Sequence, residues 1–218
     1  SEKVLRDNPN DARSQNTLRT MRARHTIETQ QWQLAEIDES LTANELLAAG
    51  MSAVGLGELA TAQTAVDALR ALSAARPKDS NLQIMYHQVA GLVSLAEARS
   101  GDIDVQRQKA AVNHFNRALE LTEAQRLPNG AANPLKPTHE LVGEAMLASG
   151  QAGWAAELFE ESLLRMPRRP LSLLGAARAH VELGNTERAA QHYLSLRETL
   201  AGSEHSALTE AAEFLAAR

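Results

Sequence analysis

The chain has 218 residues, no Cys, and 22 Lys and Arg against 27 Asp and Glu, a formal net charge of -5. A chain without excess positive charge is poorly suited to neutralising phosphates, so no nucleic-acid partner is expected; without Cys there are no disulfides and no thiolate metal sites. No apolar run approaches the ~20 residues that span a bilayer, and no stretch at the start resembles a signal peptide.

The apolar content is 39 Ala and 31 Leu against only 9 Val and 4 Ile. Unbranched side chains lose little rotamer freedom in a helix, so the expected class is all-α. In chain order, residues 1–10 are polar and interrupted by Asn8, Pro9 and Asn10, which predicts a flexible segment ahead of a helical repeat domain over 11–218. A long helix is predicted over 11–29 and a short one around Trp32. Helices at 42–55 and 58–75 follow, ended by "RPKDS", and then a pair at 80–99 and 104–124. The stretch "RLPNGAANPLKP", 126–137, contains three prolines and an Asn-Gly pair and reads as a loop. It is longer than most helix connections, which marks an insertion or a functional surface. Helices are then predicted at 137–149, 152–166, 170–183, 186–200 and 204–217. The chain starts at Ser1 without a Met, as a processed piece of a longer protein would; a removed export signal fits that reading, and bacterial cytoplasm and periplasm both stay open.

The last third repeats itself. Gly150 recurs as Gly184, Ala155 as Ala189, Ala156 as Ala190 and Phe159 as Tyr193, each 34 residues on. A turn Gly, an Ala five residues later and an aromatic four further is what two antiparallel helices need at a tight crossing: Gly takes the left-handed turn conformation, Ala lets the backbones approach, and the aromatic fills the wedge between neighbouring pairs. Gly143 is the small residue on the helix before the first crossing, and Ala177 takes its place before the second.

These residues resemble the tetratricopeptide repeat (TPR), a 34-residue helical hairpin with an A-x3-F element and a closing Pro, here Pro167. The clearest copies are 136–169 and 170–203. Degenerate copies are 16–41, 43–77 (Gly50, Gly57, Ala62, Val66) and 80–124 (Gly101, Ala111, Phe115, Ala118). A narrower resemblance joins "MRARHTIETQQW", "KPTHELVGEAML" and "LLGAARAH" to the C-terminal part of longer bacterial TPR proteins of unassigned activity. The resemblance implies a solenoid of about five hairpins with a C-terminal capping helix. It also implies a concave face lined by the first helix of each unit: Leu47, Met51 and Val54; Glu140, Glu144 and Leu147; Leu174, Arg178 and Val181. Such a mixed apolar and charged wall suits an extended or helical peptide. TPR domains that hold a C-terminal carboxylate use Lys and Asn there, which this wall lacks.

No catalytic pattern emerges. "GLGELA" at Gly55 lacks the preceding strand of a dinucleotide site, and "HELVGE" at His139 lacks the second His of a zinc-protease helix. The seven His residues, at 25, 87, 114, 139, 180, 192 and 205, show no ligand spacing; His180 reads as a hydrogen-bonded core histidine. No metal, cofactor or catalytic residue is therefore expected. Arg165, Arg168 and Arg169 in "RMPRRP" read as a solvated turn, and Glu157, Glu160 and Glu161 as a solvated helix face. Glu144 and Arg178, one repeat apart, could grip a charged ligand and are more readily read as pairing with each other. Leu208, Ala212 and Leu215 give the final helix an apolar stripe, read as a cap on the last repeat or as a homodimer contact. The function that follows is a non-enzymatic protein-interaction scaffold of unknown partner; the alternative is an accessory or oligomerisation domain of a larger protein, enzymatic or not.

Overall fold

The computed structural model describes residues 11–99, 104–128 and 130–217. The segment expected to be flexible over 1–10, and Gly101 and Asn129, lie outside them. Among the described residues there are ten helices and no strands: α1 (Ala12–Thr29), α2 (Ala43–Leu56), α3 (Leu59–Ala75), α4 (Ser80–Ala98), α5 (Val105–Glu123), α6 (Thr138–Leu147), α7 (Ala152–Arg165), α8 (Pro170–Glu182), α9 (Thr186–Thr199) and α10 (Ser206–Ala216). None is long and apolar enough to cross a membrane. The chain divides into two compact units, one of Ser1–Gln125 with Asn133–Leu135, the other of Arg126–Ala132 with Lys136–Arg218.

Side-chain caps start most helices of the first unit. Asp11, Asp79 and Asp104 each accept from two backbone N–H groups of the following turn. Thr42 and Glu45 form a reciprocal capping box, the arrangement in which each side chain satisfies the other residue's orphan N–H. Successive helices from α1 to α5 pack against one another, and α2 also lies beside α4. Small residues set the spacing. A Cβ on Gly50 would stand 2.6 Å from Val89 Cγ1, and one on Gly91 would stand 2.5 Å from Phe115 Cε1. The short helix expected around Trp32 is absent. α1 ends at Gln30 in a left-handed conformation (φ 53), and the chain then runs without helix to Leu41, with the Trp32 indole so close to Gly55 that a Cβ there would stand 2.5 Å from it. The indole thus packs directly on α2 at Gly55, and Arg19 Nε, donating to Glu45 Oε1 at 2.8 Å, ties α1 to α2.

Two histidines sit inside this unit. His87 Nδ1 and His114 Nδ1 are 2.9 Å apart, with the Tyr86 ring edge-on to His114. Burial, the neighbouring His114 and the Arg117 charge hold His87 down at about 4, and burial also lowers His114. An unfolded chain takes up the same protons near ~6.5. The unfolded state therefore binds more protons between ~6.5 and about 4, so stability present above that window is lost as the pH falls through it. Denaturant midpoints measured stepwise from pH 7 to pH 4 should fall more steeply for the wild type than for a His87→Gln/His114→Gln variant; equal slopes would show that the pair is not desolvated.

The second unit is built from two hairpins and a closing helix. Successive helices from α6 to α10 pack in order, and α6 also lies beside α8. Its turns share one geometry with the α2–α3 turn of the first unit. Gly57, Gly150 and Gly184 adopt φ of 78°, 72° and 72°. The following residue bonds back across the turn, Glu58 N to Ala53 O, Gln151 N to Met146 O and Asn185 N to His180 O, the six-to-one bond of a Schellman motif. That same residue then opens the next helix, its carbonyl accepting from Ala62, Ala155 or Ala189. All three alanines are fully buried, as the spacing predicts. Phe159 fills the wedge between α6 and α8, where a Cβ on Gly143 would stand 3.0 Å from its ring and one on Gly175 only 2.2 Å.

α10 closes the unit as a cap. Ala207 and Ala211 are buried with Leu173, Leu174, Ala177, Tyr193 and Leu196, and Phe214 and Leu215 pack on the same cluster. The contacting stripe is rotated from the expected one: Ala212 faces water and Leu208 is only partly covered, because the face carrying Ala207, Ala211 and Phe214 (i, i+4, i+7) brings the Phe214 ring onto Tyr193, with centroids 4.9 Å apart.

Candidate functional site

α6 is short and almost wholly enclosed, and polar residues enter the interior with it. Lys136 and Glu140 expose nothing. Lys136 Nζ donates to Glu140 Oε1 at 2.9 Å and to Glu144 Oε1 at 2.7 Å. From the start of α8, Arg169 grips Glu140 with two prongs, Nε to Oε2 at 2.6 Å and Nη2 to Oε1 at 2.8 Å. Ser172 Oγ donates to Glu140 Oε2 at 2.6 Å, and Ser162 Oγ on α7 lies 2.8 Å from Ser172 Oγ. Each Glu140 oxygen thus accepts two bonds, the condition under which a buried carboxylate is tolerated. Burial alone would raise the Glu140 pKa; the charges of Lys136 and Arg169 and the bonds from Arg169 and Ser172 outweigh it and hold the carboxyl below its ordinary value. Burial likewise works against the Lys136 cation, and Glu140 and Glu144 overcome it, raising its pKa. A carboxylate held ionised and out of water binds α6 to α8 and is badly placed for proton transfer to a substrate.

The "RMPRRP" turn is accordingly not wholly solvated. Arg168 faces water, with a left-handed φ of 64°, while Arg169 is 9% exposed because its guanidinium matches the buried Glu140 carboxylate. The solvated-face reading of Glu157, Glu160 and Glu161 is also revised at one position, since Glu160 meets His180, His192 and Arg188.

The expected inner-face residues divide into two groups. Leu47 and Glu140 expose no surface, and Met51 and Leu174 only 6% and 8%; each is covered by its neighbours and offers a partner almost nothing. Val54, Glu144 and Leu147 are partly exposed, and Arg178 and Val181 are open to water. Glu144 and Arg178 do not pair with each other. Glu144 turns to Lys136, and Arg178 reaches the cap, its Nε donating to Glu210 Oε1 at 2.9 Å and its Nη2 to Oε2 at 2.6 Å. Tyr193 Oη donates to the same Glu210 at 2.7 Å. The bonds from Arg178 and Tyr193 lower the Glu210 pKa against the opposing effect of burial.

Sequence reasoning missed the Arg169–Glu140 fork, Glu210, and one group of candidate metal ligands, Glu160, His180 and His192, whose donor atoms all lie within 4.8 Å of one another. The fork had a readable trace, since Glu140 lies in the first turn after Pro137 and Arg169 immediately precedes Pro170, so each stands at the start of the first helix of a hairpin. The ligand group had a weaker one: Glu160 follows Phe159 and His192 precedes Tyr193, the two aromatics that are one repeat apart.

No family model and no curated protein matches the chain. Among solved structures, the crystal structure of a thermophilic TPR protein of Thermus thermophilus superimposes with a TM-score of 0.55 at 18% identity, over 82% of this chain and 84% of that one. Together with the all-helical hairpins and the cap, this shows a TPR-like helical-repeat fold.

Proposed function

We propose that the chain is a non-enzymatic scaffold that binds an extended or helical peptide segment along the α6 and α8 side of the second unit. TPR-like folds generally serve protein–protein interaction. One observation carries the reading for this chain: Val181 leaves 42% of its surface in water on a helix that is otherwise mostly buried, and Leu147, one repeat earlier on the adjacent α6, is also partly exposed. Next to them, the charges of Glu144 and Arg178 are already balanced by Lys136 and Glu210. The face therefore sets two apolar side chains at the C-terminal ends of α6 and α8 beside charges that are already paired, with little unpaired charge to desolvate.

Affinity capture from lysate with the wild type, a Leu147→Asp/Val181→Asp variant and a Leu164→Asp control tests this. Leu164 is 74% exposed on α7 and lies off the proposed face. Losing an apolar anchor costs on the order of 1–2 kcal/mol, so recovery of specific partners should drop roughly tenfold or more with the double variant and stay unchanged with the control. The same proteins captured equally by all three would refute the face.

A further inference from the structure

We propose that Glu160, His180 and His192 form a binding site for a divalent cation of the zinc class, one that staples three consecutive helices of the second unit together. Each helix supplies one donor: α7 the carboxylate, α8 and α9 an imidazole apiece. His180 Nε2 stands 3.4 Å and His192 Nε2 2.9 Å from the same oxygen, Glu160 Oε1. Donors on a tetrahedral ion with bonds of ~2.0–2.1 Å lie ~3.3 Å apart, so these separations need only small adjustments. Both Nε2 atoms approach that one oxygen; the two rings are parallel, with centroids 5.5 Å apart and planes within 3°, so ligation through both in-plane lone pairs requires one imidazole to tilt as the ion binds.

The site is also held in place and reachable. The His180 side chain is only 5% exposed and that of His192 15%, whereas Glu160 is 39% exposed. The imidazoles are thus fixed by packing, and the carboxylate marks the side from which an ion and a fourth, water ligand would arrive. A ligating Nε2 must carry its proton on Nδ1. For His180 that nitrogen already faces the Asn185 side-chain amide at 3.4 Å; turning the amide over presents its oxygen as acceptor, the outer-shell support common to ligating histidines. Among the described residues, Arg188 is the cation that pairs with the cluster, its Nη1 4.0 Å from Glu160 Oε1. Its side chain is 65% exposed, so it can swing into water as the ion enters. Two imidazoles and one carboxylate are a set that zinc accepts readily, and hard cations such as magnesium do not favour it.

Titrating Zn²⁺ into the full chain, with a chromogenic chelator as competitor, should show one equivalent bound and a raised melting temperature. Co²⁺ in its place should give the intense visible bands of a tetrahedral site. His192→Gln and Glu160→Gln should each weaken Zn²⁺ binding about 100-fold or more and bleach the cobalt bands. His25→Gln, at an exposed histidine of α1, should change neither. Glu160→Gln keeps the shape of a part-exposed side chain, so its metal-free melting curve should match the wild type, separating lost ligation from lost folding. Zinc uptake no tighter in the wild type than in these two variants, or a cobalt spectrum they leave unchanged, would overturn the site.

Discussion

Replacing Glu140 by Gln should destabilise the second unit by about 3–5 kcal/mol, the effect of breaking a buried ionic group and among the largest expected of any charge among the described residues. The carboxylate is fully buried and accepts from Lys136, from both prongs of Arg169 and from Ser172. An amide cannot accept from all of them, and it leaves two buried cations facing diminished negative charge. Urea unfolding followed by far-ultraviolet circular dichroism would measure the loss. Arg178→Ala is the contrast: its partner Glu210 and its own side chain are 34% and 51% exposed, so breaking that bridge should cost only ~0–1 kcal/mol. Replacing Lys136, Glu140 and Arg169 together by apolar residues of similar size should restore much of what Glu140→Gln removes, since a buried ionic group is strongly destabilising when broken and close to neutral when replaced whole. A Glu140→Gln cost below about 1 kcal/mol would mean that water reaches the cluster.

Phe159→Ala should cost a comparable ~3–5 kcal/mol, and the glycines around the ring make the claim specific. A Cβ at Gly175 would stand 2.2 Å from Phe159 Cζ, and one at Gly143 3.0 Å from Cε1. Gly175→Ala should therefore destabilise by ~1–3 kcal/mol through overpacking, even though Ala gains ~1 kcal/mol in helix propensity. Gly143→Ala, with its milder contact, should come out near neutral. Combining Gly175→Ala with Phe159→Leu should cost less than the sum of the two single changes, because the smaller side chain vacates the space that the methyl enters. Strict additivity would show that the ring does not occupy that wedge.

These two cases also show what could be read from the residues alone. The hairpins were legible because their determinants are local and periodic: Gly150 and Gly184 end helices, Ala155 and Ala189 pack against the preceding helix, and Phe159 and Tyr193 follow at a set distance. The helix near Trp32 was misread because the decisive contact, the indole against Gly55, joins residues with no periodic relation. Burial of charge was the harder failure. Arg169 sits in a run of arginines that resembles a surface turn, and only a carboxylate brought to it from a different helix makes its burial favourable. Inner-face positions transferred from the repeat pattern specify the side of a helix, and they do not say whether a neighbour covers it: Leu174 and Val181 lie on the same helix, and the Tyr193–α10 cluster encloses one while the other stays in water. The Glu160, His180 and His192 group was hard to read for a related reason, since its three members come from three helices and share no short spacing.

At the α2–α3, α6–α7 and α8–α9 junctions, the residue that completes the cap of one helix is also the residue from which the next helix starts. No spare residue remains there to absorb a change in length. Inserting or deleting one amino acid within such a junction would turn the whole downstream helix by roughly 100° and swing its alanine and aromatic out of the interior. These three hairpins should therefore tolerate a change of length only in steps of an entire repeat, whereas a connection outside them, such as the 126–128 end of the long loop, should absorb single insertions.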